Sequence, residues 1–220
     1  MTKPKIAIVS GSLWEENLFD EGVKHIKRCH YYETQPGYLA DKLKQMTESI
    51  LEARQENDSL QYLFLLNTVG SFHKKYNIGD LAVIKDHIDQ IGNPLLYWRG
   101  KPGIQVPNSK DIYSEKLRDM VKESAHANKI SIHEGVFLTI KGPTINTPAE
   151  RALYSPHCDF VGMSGSAEAT FGRALGLQVL LIGLITDNEI PNEILDVRTI
   201  IKQHRSKLKT CIENLVNQLS

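Results

Sequence analysis

Apolar and β-branched residues gather in six short runs, at residues 6–9, 62–66, 81–84, 136–140, 160–163 and 179–185. Runs of that length and composition predict buried strands. Between them the apolar spacing changes. Leu39, Leu43, Met46 and Ile50 fall four, three and four positions apart, which puts them on one face of a helix. Leu208, Ile212, Leu215 and Leu219 repeat that spacing and predict a helix that closes the chain. Thr147-Pro148-Ala149-Glu150 has the form of a helix start, with Thr147 as N-cap, Pro148 at the first helical position and Glu150 able to complete a capping box. Ser166 before Ala167-Glu168 predicts a second, weaker start. Strands alternating with helices predict an α/β fold with a mixed or mostly parallel sheet. In such sheets ligands bind beyond the carboxyl ends of strands.

The 220 residues have the length of one domain, and no Gly/Ser- or Pro-rich stretch marks a linker, so residues 1–220 read as a single unit. A chain of this size can bury an ordinary core without disulfide or metal support. Lys and Arg number 26 and so do Asp and Glu. A formal net charge of zero lacks the basic excess that sequence-independent nucleic-acid or anionic-membrane binding demands, and neither partner is expected. Cys29, Cys158 and Cys211 are an odd number at unrelated spacings, which fits neither a disulfide framework nor a zinc ribbon. No two histidines stand at His-x-x-x-His spacing, so no metal site is expected. The run at residues 6–9 is too short for a signal peptide, and nothing approaches the roughly 18 apolar residues of a membrane span. The chain reads as soluble and cytoplasmic.

Four strand-end segments are rich in small and polar residues: Ser10-Gly11-Ser12, Asn67-Thr68-Val69-Gly70-Ser71, Gly142-Pro143-Thr144-Ile145-Asn146, and Gly162-Met163-Ser164-Gly165-Ser166. Small residues let backbone N–H groups approach an anion closely, and hydroxyls add donors for phosphate or ribose. Taken singly, each is more often an ordinary strand-to-helix turn. A fifth segment, Arg28-Cys29-His30-Tyr31-Tyr32-Glu33, packs a fixed cation, an imidazole, two phenols and a carboxylate together. It suits an anionic, hydroxylated ligand, because Arg offers a bidentate fork and His and Tyr add donors; alone it reads equally as a solvated loop. In the sixth, Leu184-Ile185-Thr186-Asp187-Asn188-Glu189, an apolar strand runs into a polar cluster. An acid there can have a raised pKa and give a proton to a leaving group, or it can simply cap a turn.

These segments occur in a fixed order, with Gly79-Asp80 and Asp86-His87-Ile88 after the third and Thr147-Pro148-Ala149-Glu150 after the Gly-Pro pair. That order resembles the trimeric class of purine nucleoside phosphorylases and the related methylthioadenosine phosphorylases, from about Ile6 to Glu189 and more loosely through the last helix. The resemblance implies a nucleoside-phosphorylase-like α/β domain, a central mixed sheet forming a partial barrel flanked by helices. It also implies a pentosyltransferase that cleaves a purine nucleoside with inorganic phosphate as co-substrate and no cofactor. Homo-oligomers are implied too, with a trimer by resemblance and a dimer left open.

Carried over position by position, the resemblance assigns phosphate to Ser12, Arg28, His30, the backbone N–H of Thr68, and Ser164. It assigns the ribose to Tyr32 and Met163, the base to Val69, Gly70, Ile145, Asn146 and Asp187, and a supporting role to Glu33. Asp187, His30 and Asn146 would carry catalysis. His87 would be structural, and Trp14 and Trp98 read as core or interface residues.

The sequence also departs from the family pattern. Relatives acting on 6-oxopurines carry Phe-Glu where this chain has Ile145-Asn146, and an Asn where it has Asp187. Losing the glutamate removes the acceptor for the base N1–H, and Asp187 resembles the adenine-selective enzymes, so a 6-aminopurine such as adenosine or a 5′-modified adenosine is favoured. Only fifteen residues separate Ser12 from Arg28, where the family has hairpins of the barrel. A nucleoside hydrolase, a specialised nucleoside-pathway enzyme and a non-catalytic nucleoside binder therefore stay open as alternatives. The family's late His aligns near Arg198, a cation that would favour a 5′ group other than a plain hydroxyl. The loop at Gln105-Val106-Pro107 lacks the family's cross-subunit aromatic, for which Tyr113 is the nearest candidate.

Overall fold

The computed structural model describes residues 5–11, 23–28, 39–142, 144–188 and 196–219. Seven strands form one mixed sheet: β1 (Ile6–Ser10), β2 (Val23–Lys27), β3 (Tyr62–Ser71), β4 (Leu81–Asp89), β5 (Ile132–Thr139), β6 (Phe160–Gly162) and β7 (Gln178–Asn188). The order is β2-β1-β3-β6-β5-β4-β7, and β3 pairs with β7 as well. That last pairing closes β3, β6, β5, β4 and β7 into a ring, leaving β1 and β2 as a wing on β3. β1, β2, β3 and β7 run parallel to their neighbours within that set, and β4, β5 and β6 are likewise parallel to one another. The two sets meet antiparallel at β3–β6 and β4–β7.

Alternation along the strands divides the core in two. Leu63 and Leu65 of β3 and Val179 and Leu181 of β7 pack with Ile50 and Ala53 of α1 (Leu39–Glu56), Trp98 of α2 (Leu95–Trp98), and Phe171 of α5 (Ser166–Ala174). Phe64 and Leu66 of β3 and Leu180 and Ile182 of β7 face the opposite layer. That layer consists of α3 (Glu115–Ala127), through Leu117 and Val121, and α6 (Val197–Leu219), through Leu208, Cys211, Ile212 and Leu215. Trp98 is a core residue whose indole N–H donates to Thr47 Oγ1 at 2.7 Å, locking α2 onto α1. The remaining α-helix, α4 (Pro148–Tyr154), begins with the expected capping box: Thr147 N–H donates to Glu150, and Glu150 N–H donates to Thr147 Oγ1.

Three sequence expectations need adjusting. β3 and β7 run through Ser71 and Asn188, so the Asn67–Ser71 and Thr186-Asp187 segments lie within strands rather than in strand-end loops. The cap of α5 is Gly165, whose N–H donates to Glu168 Oε2 at 2.7 Å, and not Ser166, which is the first helical residue. The stretch between Ser12 and Arg28 supplies β2, which lies outside the ring, and the ring closes without it. β2 had no reading, because its Val-Lys-His-Ile-Lys carries no apolar run, and neither did the four-residue α2.

Leu208 is fully buried between α6 and the sheet. Leu208→Ala should lower the unfolding free energy by about 2–5 kcal/mol, measured by urea denaturation; a loss well under 1 kcal/mol would mean that α6 does not pack there.

Candidate active site

The site begins with an interruption. Along one edge, β3 pairs with β1 from Tyr62 to Leu66, and with β6 at Gly70 and Ser71. Residues 67–69 belong to neither pairing, so on that edge the sheet opens for three residues. Thr68 is the one residue of β3 that is not buried. The opening is bounded by Ser10 and Gly11 at the end of β1, by Arg28 after β2, whose N–H donates to Ser10 O at 2.8 Å, and by the turn from Met163 to Gly165. Backbone groups left unpaired beside small residues are what an anion or a hydroxylated ligand would need.

A buried polar chain holds the opening in shape. Arg28 Nε donates to Glu168 Oε1 at 2.6 Å, and Arg28 Nη1 donates to Asn67 Oδ1 at 2.8 Å and to Leu66 O at 3.3 Å. Asn67 Nδ2 spans to Ser164 O at 2.6 Å. Glu168 is 0% exposed and Arg28 9%. Two charges at this depth are tolerated because each neutralises and hydrogen-bonds the other. Gly165 has φ +117, and a methyl group on it would lie 2.6 Å from Leu181 and 2.9 Å from Asn67 Nδ2. Only glycine lets the turn press against this chain.

The other edge of the same stretch of β3 faces β7. Val69 pairs with Ile185 but Gly70 pairs with Asp187, so Thr186 is an extra residue on β7. Its hydroxyl donates to Val69 O at 3.4 Å. Bulges of this kind re-aim side chains beside functional sites. Here the carboxylate of Asp187 lies over Gly70, where a methyl group would be 2.6 Å from Asp187 Oδ1. Burial raises the Asp187 pKa above its usual 3.8, and the positive charge of Arg151 opposes the rise. Arg151 projects from α4, donates through Nη2 to Ser71 O at 3.2 Å and lies over the Phe72 ring. It thereby draws α4, with Asn146 and Thr147 at its start, to the end of β3. On the same side Met163 packs against Gly142 and joins Phe72, Leu138 and Ile140.

The fold therefore gathers Arg28, Thr68, Val69, Gly70, Met163, Ser164 and Asp187 around one stretch of β3. Asn146 is half-buried and Ile145 is 63% exposed, both on the segment leading into α4. Ser12, His30, Tyr32 and Glu33 lie outside the described residues, as does Trp14. Tyr113 is 4% exposed and its hydroxyl bonds Nδ1 of the half-buried His87 at 2.8 Å, so Tyr113 belongs to the chain's own interior; burial holds the His87 pKa below its usual value. Arg198 is exposed in the first turn of α6. Sequence reasoning missed Glu168, Asn67 as a bridge, and Arg151. Among the described residues no group of three His, Cys, Asp or Glu could hold a metal ion, and no helix is long and apolar enough to cross a membrane.

The family model of the phosphorylase superfamily matches residues 45–217. The chain belongs to this superfamily. Purine nucleoside phosphorylase 1 of Geobacillus stearothermophilus is 33% identical over 163 residues, 73% of this chain and 57% of that protein. S-methyl-5′-thioadenosine phosphorylase of Pyrococcus horikoshii is 24% identical over 165 residues, 73% of this chain and 64% of that protein. The chain thus spans about half to two thirds of the length of such superfamily relatives. In structure it resembles Schistosoma mansoni purine nucleoside phosphorylase in complex with adenosine, with a TM-score of 0.81, 23% identity, and coverage of 99% of this chain and 91% of that one. This likeness supports the α/β fold with its closed mixed sheet.

Because burial raises the folded-state pKa of Asp187, its ionisation works against folding at pH values above that raised pKa, and the penalty disappears once the group is protonated in both states, below 3.8. Asp187→Asn should therefore melt higher than the wild type at neutral pH, and the gain should shrink as the pH falls toward 3.8. A variant that melts lower at neutral pH would show that attraction to Arg151 outweighs burial.

Proposed function

We propose that the protein transfers the pentosyl group of a purine nucleoside to inorganic phosphate, releasing the free base and a pentose 1-phosphate. The observation that carries this reading is the placement of an arginine with its amide neighbours on one edge of residues 67–70 and a carboxyl group on the other. Cleaving a glycosidic bond develops positive charge on the sugar and negative charge on the base. An anion under the sugar and a donor at the base both stabilise that state more than the ground state. Superfamily membership and the purine nucleoside phosphorylases among the relatives support the same reaction.

In this reading Arg28, the Thr68 N–H and Ser164, with Ser12 and His30, take phosphate. Met163 and Tyr32 take the ribose. Val69, Gly70, Ile145, Asn146 and Asp187 take the base. Asp187 has two uses: protonated, which its burial favours, it donates to the base N7 as the bond breaks; ionised, it accepts from a 6-amino group. With Asn146 in place of a glutamate, the site offers no carboxylate for a base N1–H there, which favours adenosine or a 5′-modified adenosine. The methylthioadenosine phosphorylases among the relatives agree with this choice.

The test is chromatography of products from adenosine, methylthioadenosine, inosine and guanosine, each with and without phosphate. Adenine release that requires phosphate is expected. Hypoxanthine release would retain the reaction and overturn the base assignment, equal release without phosphate would make the protein a hydrolase, and tight nucleoside binding with no product would make it a binder. Asp187→Asn should lower turnover with adenosine by about 10² to 10⁴, the usual contribution of a positioned acid; an unchanged rate would remove Asp187 from the mechanism.

A further inference from the structure

Resting on the phosphorolysis reading, we propose that Glu168 is a positioning residue of the phosphate subsite, which fixes the Arg28 guanidinium so that Nη2 remains as its donor for the anion. A guanidinium has five N–H donors. In this protein the Nε donor goes to Glu168, and Nη1 serves Asn67 Oδ1 and Leu66 O. The two donors on Nη2 are buried and have no partner among the described residues. A buried donor left without a partner is costly, so this one marks where an acceptor binds. Ser166 Oγ, in the first turn of α5, is likewise buried without a described partner.

Glu168 does two jobs at once. Oε1 accepts from Arg28 and Oε2 accepts from the Gly165 N–H at 2.7 Å, so one carboxylate sets both the arginine and the turn that carries Ser164. It also makes the pair neutral. An anion bound here is held by directed N–H bonds rather than by excess charge, and its affinity depends on where the guanidinium points. Glutamine has the same shape but only one acceptor oxygen, and its NH₂ must face either Nε–H or Gly165 N–H.

Glu168→Gln should therefore raise the KM for phosphate at least about tenfold, the loss expected when a hydrogen bond to a charged group is misdirected, and leave the KM for the nucleoside unchanged. Glu168→Asp, which keeps both acceptors on a shorter arm, should fall between Gln and wild type and recover part of the phosphate affinity. In the wild type, the Arg28 Nε–H should give a slowly exchanging NMR signal that shifts on titration with inorganic phosphate; this reads the proposal even where a variant does not fold. Unchanged phosphate KM in folded variants, or both KM values rising together in step with a lower melting temperature, would reduce Glu168 to a structural role. An Arg28 signal indifferent to phosphate that the wild type does bind would overturn the proposal as well. A wild type that neither binds phosphate nor needs it for base release overturns the phosphorolysis reading itself, and this proposal with it, before any variant is made.

Discussion

A strand in a closed sheet must satisfy its backbone on both edges, and β3 does so everywhere except for three residues. On one edge β1 pairs as far as Leu66 and β6 begins at Gly70. The two partners come to these residues with their carboxyl ends facing each other, β1 parallel to β3 and β6 antiparallel, and each strand stops there. The opening lies where the parallel wing meets the mixed ring. The features gathered around it are responses to that opening: Arg28 fills its near side, Asn67 bridges it, and the Ser164–Gly165 turn borders it.

The electrostatics follow from burial. Arg28 and Glu168 lie deep enough that either charge alone would be strongly destabilising, whereas together they present a neutral, rigid donor array. Across β3, Asp187 is half-buried, and burial raises its pKa against the opposing charge of Arg151. One edge thus keeps a permanent cation pinned by an anion, and the other keeps an acid whose proton is easily retained.

Much of this was legible in the sequence where the signal is local. The apolar runs marked six of the seven strands, Thr147 and Glu150 marked the start of α4, and ordered motifs brought Thr68, Met163, Ser164 and Asp187 to one place. What stayed hidden depends on distant pairs or on register. Arg28 and Glu168 are 140 positions apart, and nothing near either residue announces the other. β2 reads Val-Lys-His-Ile-Lys, polar at three of its five positions, so it lacks a hydrophobic run. Asn67 through Ser71 read as a loop because glycine and polar residues are rare in strands, yet here they occupy the stretch of β3 where the sheet opens and a carboxylate crosses Gly70.

The extra residue at Thr186 gives the acid a property of its own. Side chains alternate faces along a strand, so the direction in which Asp187 points is set by counting residues from the last regular pair, Val69 with Ile185. With the bulge in place the count delivers the carboxylate onto Gly70; with one residue fewer, the same position would point to the opposite face. The chemistry of this position can therefore drift by substitution, one side chain for another over the same glycine, while insertions and deletions in β7 are closed to it. The side chain over Gly70 is free to change by spelling but not by length.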